Sequence, residues 1–114
     1  MQKNYHKVSL SELNAIKCPC GFTKRAFTEL PDRIASVHYL IVKEDTKAHY
    51  HKGFTEIYTI LAGEGFIEVD GEKLPVKPMD SVMIRPMCRH RPIGNITILN
   101  VVTPAFDPCD EWFE

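Results

Sequence analysis

From Phe22 onward the chain advances in short bursts. The segments FTKRAFTEL, ASVHYLIVK, EIYTILAG, GFIEVDGEKLPV, SVMIR and NITILNVVT are rich in β-branched and aromatic residues, and Pro, Gly or Asp cuts each one off. Segments this short cannot bury their apolar residues as amphipathic helices, so they must do so by pairing as strands. Consecutive antiparallel strands of this length close into a sandwich or barrel, and the expected fold is all-β. Asp70-Gly71, set between FIEV and EKLPV, is the strongest hairpin signal in the sequence, and VKPMDS supplies a second turn. One segment departs from the rhythm. Ser9 and Glu12 have capping-box spacing, which predicts that SLSELNAIK forms one short helix ending before Cys18-Pro19-Cys20-Gly21.

A chain of 114 residues supports one hydrophobic core, and a single domain is expected. Its 14 basic and 15 acidic residues leave a formal charge of −1, which is no footprint for nucleic acid or an anionic membrane. Small molecules or proteins are therefore the expected partners. No apolar run is long enough to span a bilayer, and MQKNYHKVSLSELNAIK lacks both a long apolar core and a small-residue cleavage site. A cytoplasmic location is expected, where Cys18, Cys20, Cys88 and Cys109 would stay reduced. Cys-Pro-Cys lacks the spacing of a zinc-knuckle or thioredoxin-like pair, and no second close pair exists to complete a four-thiolate site.

The stretch AHYHKGFTEIYTILAGEG concentrates the chemistry. Side chains alternate along a strand, so His49 and His51 share a face while Tyr50 points away. Gly53 permits a tight turn over Lys52 to Thr55, which brings Glu56 into the next strand beside the two imidazoles. His90, at the end of SVMIRPMCRH, can supply a third nitrogen from across a barrel. A lone histidine in a β-domain is ordinarily a core or surface residue; three imidazoles and a carboxylate suit a divalent transition metal.

These residues resemble the cupin family. Its first motif is His-x-His, a Glu after three or four more residues, and a Gly after six further ones; His49, His51, Glu56 and Gly63 match it residue for residue. In the second motif Asp80 and His90 hold their places, while Met79, Arg85 and Met87 stand where the family has Gly, Pro and Gly. Pro86-Met87 takes the position of the usual Pro-Gly turn, and Asn95 lies one residue beyond the motif's asparagine. The resemblance covers roughly Ala35 to Thr103. It implies a double-stranded β-helix, or jelly-roll barrel, in which His49, His51, Glu56 and His90 bind one divalent transition metal ion: Fe, Mn, Ni, Zn, Co or Cu. The expected organisation is an N-terminal helix and first strands over residues 1–34, a cupin core over 35–103 and a tail over 104–114.

Other residues are placed around this centre. Tyr58, two after Glu56, should point into the barrel, where its hydroxyl could orient a substrate as a candidate catalytic group or bond to a buried partner. His38 is at most pocket lining, and His6 belongs to the N-terminal tail. Cys88 could approach the metal, though an inert buried thiol is commoner. Arg85, Arg89 and Arg91 flank the turn before His90, where an arginine could fork onto a carboxylate. DEWFE should dock Trp112 and Phe113 as a lid or edge cover. The outward Ile57, Thr59 and Leu61 need cover, which predicts a homodimer. The functional expectation is metal-dependent chemistry, dioxygenase-like or isomerase-like, on a small polar molecule such as a carboxylate or hydroxy-carbonyl compound. The alternative is a module that binds or senses a small ligand without turnover.

Overall fold

In SVHYLIV every second side chain is buried, and the same alternation runs through NITILNVVT and the first six residues of TEIYTILAG. The structure, a computed structural model, describes residues 3–113. Its strands are β1 (Ile16–Cys18), β2 (Gly21–Ala26), β3 (Ser36–Val42), β4 (His49–Tyr50), β5 (Thr55–Gly63), β6 (Gly65–Val69), β7 (Glu72–Val76), β8 (Ser81–Ile84), β9 (His90–Ile93), β10 (Ile96–Thr103) and β11 (Trp112–Phe113). They form two antiparallel sheets, one in the order β1-β2-β3-β10-β5-β8 and one in the order β11-β4-β9-β6-β7.

The inner faces share one core. Leu40, Tyr58, Ile60, Ile84 and Ile98 come from the six-stranded sheet, and Ile67 and Val76 from the five-stranded one. Ile60, Ile67 and Ile98 are fully enclosed, each stabilising the fold by about 1.5–3 kcal/mol through its buried apolar surface. The expected Asp70-Gly71 hairpin joins β6 to β7: Asp70 and Gly71 have φ of 48° and 84°, the two positive values that a two-residue turn between twisted strands requires.

The expected N-terminal helix does not form. Leu10–Glu12 makes a single 3-10 turn, and no α-helix is found among the described residues. Ser9 is extended and makes no side-chain cap; Glu12 instead donates its backbone N–H to the Ser9 carbonyl at 3.0 Å. The reason is competition from the sheet. Ile16, Lys17 and Cys18 pair with Thr23, Phe22 and Gly21, which removes the residues a helix would need and leaves too few to overcome nucleation. No helix among the described residues is long and apolar enough to cross a membrane.

Register, not sequence proximity, assembles the inner face of the six-stranded sheet. Arg25 opposes His38, His38 opposes Asn100, and Asn100 opposes Tyr58, so one row of polar side chains crosses four strands. The adjacent row, Thr23, Leu40, Ile98 and Ile60, is apolar apart from its first member.

Candidate metal centre

Three strands and the turn after β4 converge at one end of this polar row. β4 carries His49 and places it directly opposite His90, the first residue of β9. His51 follows β4, and β5 brings Glu56 beside it. One ligand atom from each of His49, His51, Glu56 and His90 lies within 4.8 Å of the others, so the group could hold a metal ion. Among the described residues it is the one cluster of three or more His, Cys, Asp or Glu donors so arranged. His49 is half-buried and the other three are buried.

The turn into β5 is held from the far end of the chain. The Asp110 carboxylate accepts the backbone N–H of Lys52 at 2.9 Å and of Gly53 at 2.7 Å. Gly53 has no positive φ, and the tight feature there is this contact: a Cβ would lie 3.1 Å from Asp110 Oδ2, close enough that the carboxylate would have to shift. Gly63, the last residue of the first motif, has φ of 83°, and a Cβ on it would meet the Asn95 carbonyl at 2.2 Å.

Backbone carbonyls fix the imidazoles. His51 Nδ1 is 2.6 Å from the Asp110 carbonyl oxygen and His90 Nδ1 is 2.9 Å from that of Cys88, so in each ring Nδ1 carries the proton and donates it. The Nε2 lone pairs then aim at Glu56 Oε1, at 3.2 Å from His51 and 2.9 Å from His90. The His51 contact lacks hydrogen-bond geometry, and this buried nitrogen has no hydrogen-bond partner among the described residues. Glu56 Oε2 is already engaged by Asn100 Nδ2 at 2.7 Å. Two neutral imidazoles facing one carboxylate oxygen bring lone pairs together, an arrangement that a shared cation relieves. The donor set fits a divalent transition metal.

Burial pushes the Glu56 carboxyl upward, but the His51 and His90 rings facing it outweigh burial and hold the group well below the usual carboxylate range, so it is an anionic donor. Burial takes His49 down to about 4, assisted by the neighbouring His90 and His51. Burial also lowers His51, but there the Glu56 contact prevails and the net direction is upward. Tyr58 is enclosed and raised well above the ordinary phenol value by burial, so it stays a neutral donor.

The centre opens into a cavity of about 90 Å³ whose wall includes His49, His51, Tyr58, Asn100, His38 and Arg25. Tyr58 lies inward as expected, its ring 6.0 Å from that of His90. His38 lines the cavity and shares a 2.8 Å hydrogen bond with Ser36. His6 is exposed. Cys88 contributes its carbonyl rather than its thiol, which packs against the core. None of Arg85, Arg89 and Arg91 lines the cavity. Arg85 is exposed, Arg89 lies 3.7 Å over the Tyr50 ring, and Arg91 forks onto Glu68 at 3.1 and 3.2 Å. Trp112 and Phe113 pair with Tyr50 and His49 and so cover the edge of β4; Glu114, the last residue of DEWFE, lies outside the described residues, as do residues 1 and 2.

Cys18 and Cys20 also line the cavity, their sulfurs 3.8 Å apart. The hydrogen bond between them is the main cause that lowers Cys18 to about 6 and raises Cys20.

The second motif keeps its geometry without its glycines. Met79 and Met87 occupy the glycine positions at φ of 80° and 76°, values that glycine adopts without strain. Asn95 is exposed in the turn before β10, and Asn100 is the asparagine that reaches the centre. Asn100 and Asp110 were missed from sequence. Asn100 left one local signal, a polar residue at an inward position of an otherwise apolar strand; Asp110 left none.

A family model for the cupin domain matches residues 37–101. A crystal structure of a protein from Planctomyces limnophilus is 41% identical, with 96% of each chain covered and a TM-score of 0.90. An uncharacterized protein of Methanocaldococcus jannaschii is 40% identical over 72 residues, a match spanning 60% of this chain and 57% of that protein. The match thus spans little more than half of that curated relative. Pac13 of Streptomyces, a nucleoside dehydratase seen with uridine, is 20% identical, with 100% of this chain and 92% of that chain covered and a TM-score of 0.82, a likeness of fold alone.

Proposed function

The chain belongs to the cupin domain family, and on that premise we propose that it binds one divalent transition metal through His49, His51, Glu56 and His90 and carries out metal-dependent chemistry on a small polar organic molecule. One observation carries this reading: two imidazoles, each with Nδ1 committed to a carbonyl, aim Nε2 at the same carboxylate oxygen. A metal bound there would supply a Lewis acid with open positions for a substrate oxygen.

The chain's own groups do the rest. Asn100 holds Glu56 by Oε2 and leaves Oε1 toward the imidazoles. The carbonyls of Asp110 and Cys88 keep His51 and His90 in the tautomer with Nε2 available. Tyr58, a neutral phenol on the cavity wall, is placed to donate a hydrogen bond to a substrate oxygen, where it would stabilise developing negative charge. The narrow cavity limits the water that competes for those contacts. The uridine seen with Pac13 supports a small polar ligand for a barrel of this shape. Residues 35–103 form the core of a single domain in this reading, and two copies associate through the outer face of the six-stranded sheet.

Elemental analysis of protein purified without added metal or chelator tests the centre. About one transition-metal ion per chain is expected, and full occupancy in a His49→Ala, His51→Ala double variant would refute the site. Oxygen uptake and product formation are then followed over small keto, hydroxy and thiol acids with iron(II), manganese, nickel and zinc in turn. Turnover abolished by His90→Ala supports an enzyme; tight metal-dependent binding without turnover identifies a ligand-binding module.

A further inference from the structure

The arginines flanking the His90 turn engage other partners or solvent, and a different arginine reaches the cavity. Arg25 sits at an inward position of β2, on the same face as the buried Thr23 and opposite the buried His38, and forms part of the cavity wall. It ends the polar row that runs through His38 to Asn100, the residue bonded to Glu56. Two strand spacings of about 4.8 Å place Arg25 roughly 10 Å from Asn100 across the sheet. Beyond Thr23 the adjacent row is apolar.

The guanidinium carbon lies 4.6 Å from the centroid of the Phe106 ring, a cation–π contact. Its Nε is buried without a hydrogen-bond partner, and no acidic side chain among the described residues pairs with it. Burial, with the Arg25 charge second, takes its neighbour His38 down to about 4, so Arg25 is the cation of this wall at neutral pH, sharing the cavity with Glu111 and with Cys18, whose thiol it helps to lower. A guanidinium in contact with an aromatic ring and paired with no carboxylate is free to fork onto a planar oxyanion.

We infer that Arg25 is the residue that selects an anionic ligand: a molecule bound at the His49, His51, Glu56 and His90 centre by one end places a carboxylate on Arg25 by the other. This rests on the metal-centre reading above and narrows its substrate class to small carboxylates with a second oxygen donor. The cavity of about 90 Å³ bounds them to a handful of heavy atoms.

The test titrates malonate, and its neutral analogue malonamide, calorimetrically into wild-type protein, Arg25→Gln and Arg25→Lys, each metal-free and loaded with manganese(II). Malonate affinity should fall roughly tenfold or more in Arg25→Gln in both forms, the loss expected for one charge-assisted fork. Malonamide affinity and manganese content should not change. Arg25→Lys keeps the charge but not the fork, so it should lose part of the affinity; it also decides the matter if the Gln variant does not fold. Equal malonate affinity in wild type and the variants, an equal loss for malonamide, or no malonate binding to wild type in either form would overturn the inference. Failure to load manganese would count against the metal centre alone, because the Arg25 dependence is read in the metal-free protein as well.

Discussion

Single residues here hold conformations and charge states that their own chemistry disfavours. His38 is the simplest case to titrate: burial first, and then Arg25, lower it to about 4 from an ordinary 6.5. Between those two values the unfolded chain binds the proton and the folded chain does not, so this contribution to stability is complete above pH 6.5 and lost as pH falls toward 4. In urea unfolding, wild type should lose about 2–3 kcal/mol more than His38→Gln between pH 7 and pH 4.5. Equal pH dependence in the two proteins would show that the ring protonates in place. Met79 makes the opposite kind of statement. It is 86% exposed and sits at φ of 80°, so its side chain gains little contact in return for backbone strain. Met79→Gly should raise stability by up to about 1 kcal/mol in the same assay; destabilisation would mean that chain entropy outweighs the strain.

At the scale of elements, the first motif was legible because its geometry is local. Alternation put His49 and His51 on one side, and a four-residue gap returned Glu56 to them. The strands of the core were legible for the same reason, each being set by its own β-branched residues. What could not be read was pairing at a distance. SLSELNAIK has helix-start spacing, yet β2 claims its last two residues, Ile16 and Lys17, a competition visible only once the sheet exists. Asn100 meets Glu56 because β10 and β5 pair Val102 with Glu56 and Asn100 with Tyr58, a register that neither strand states alone. Asp110 belongs to the same class. Its carboxylate ties Lys52, Gly53 and the Trp112 indole N–H at 2.8 Å, and its carbonyl orients His51. Asp110→Ala should therefore weaken metal affinity roughly tenfold, as loss of a group that positions a ligand does, measured by competition with a chromogenic chelator. Unchanged affinity would show that β11 pairing alone holds the turn.

For the whole molecule, the outer face of the six-stranded sheet is the open question. Leu10 and Ser11 line a cleft on one part of it with Tyr39, Leu61 and Leu99. Leu61 and Met83 nevertheless remain 44% and 54% exposed. Light scattering at micromolar concentration should give the mass of two chains, and Leu61→Lys with Met83→Lys should return it to that of one. A wild-type monomer would mean that the N-terminal segment is cover enough. The reach of Asp110 back to His51 also orders events in time. During synthesis His49, His51 and Glu56 emerge before the groups that orient two of them, Asn100 for Glu56 and Asp110 for His51. A nascent chain stopped short of residue 110 would present His51 without the carbonyl that sets its tautomer. If the centre holds a metal as proposed, the orientation of His51 depends on the segment around Asp110 being in place, so the proposed site would be complete only late in synthesis.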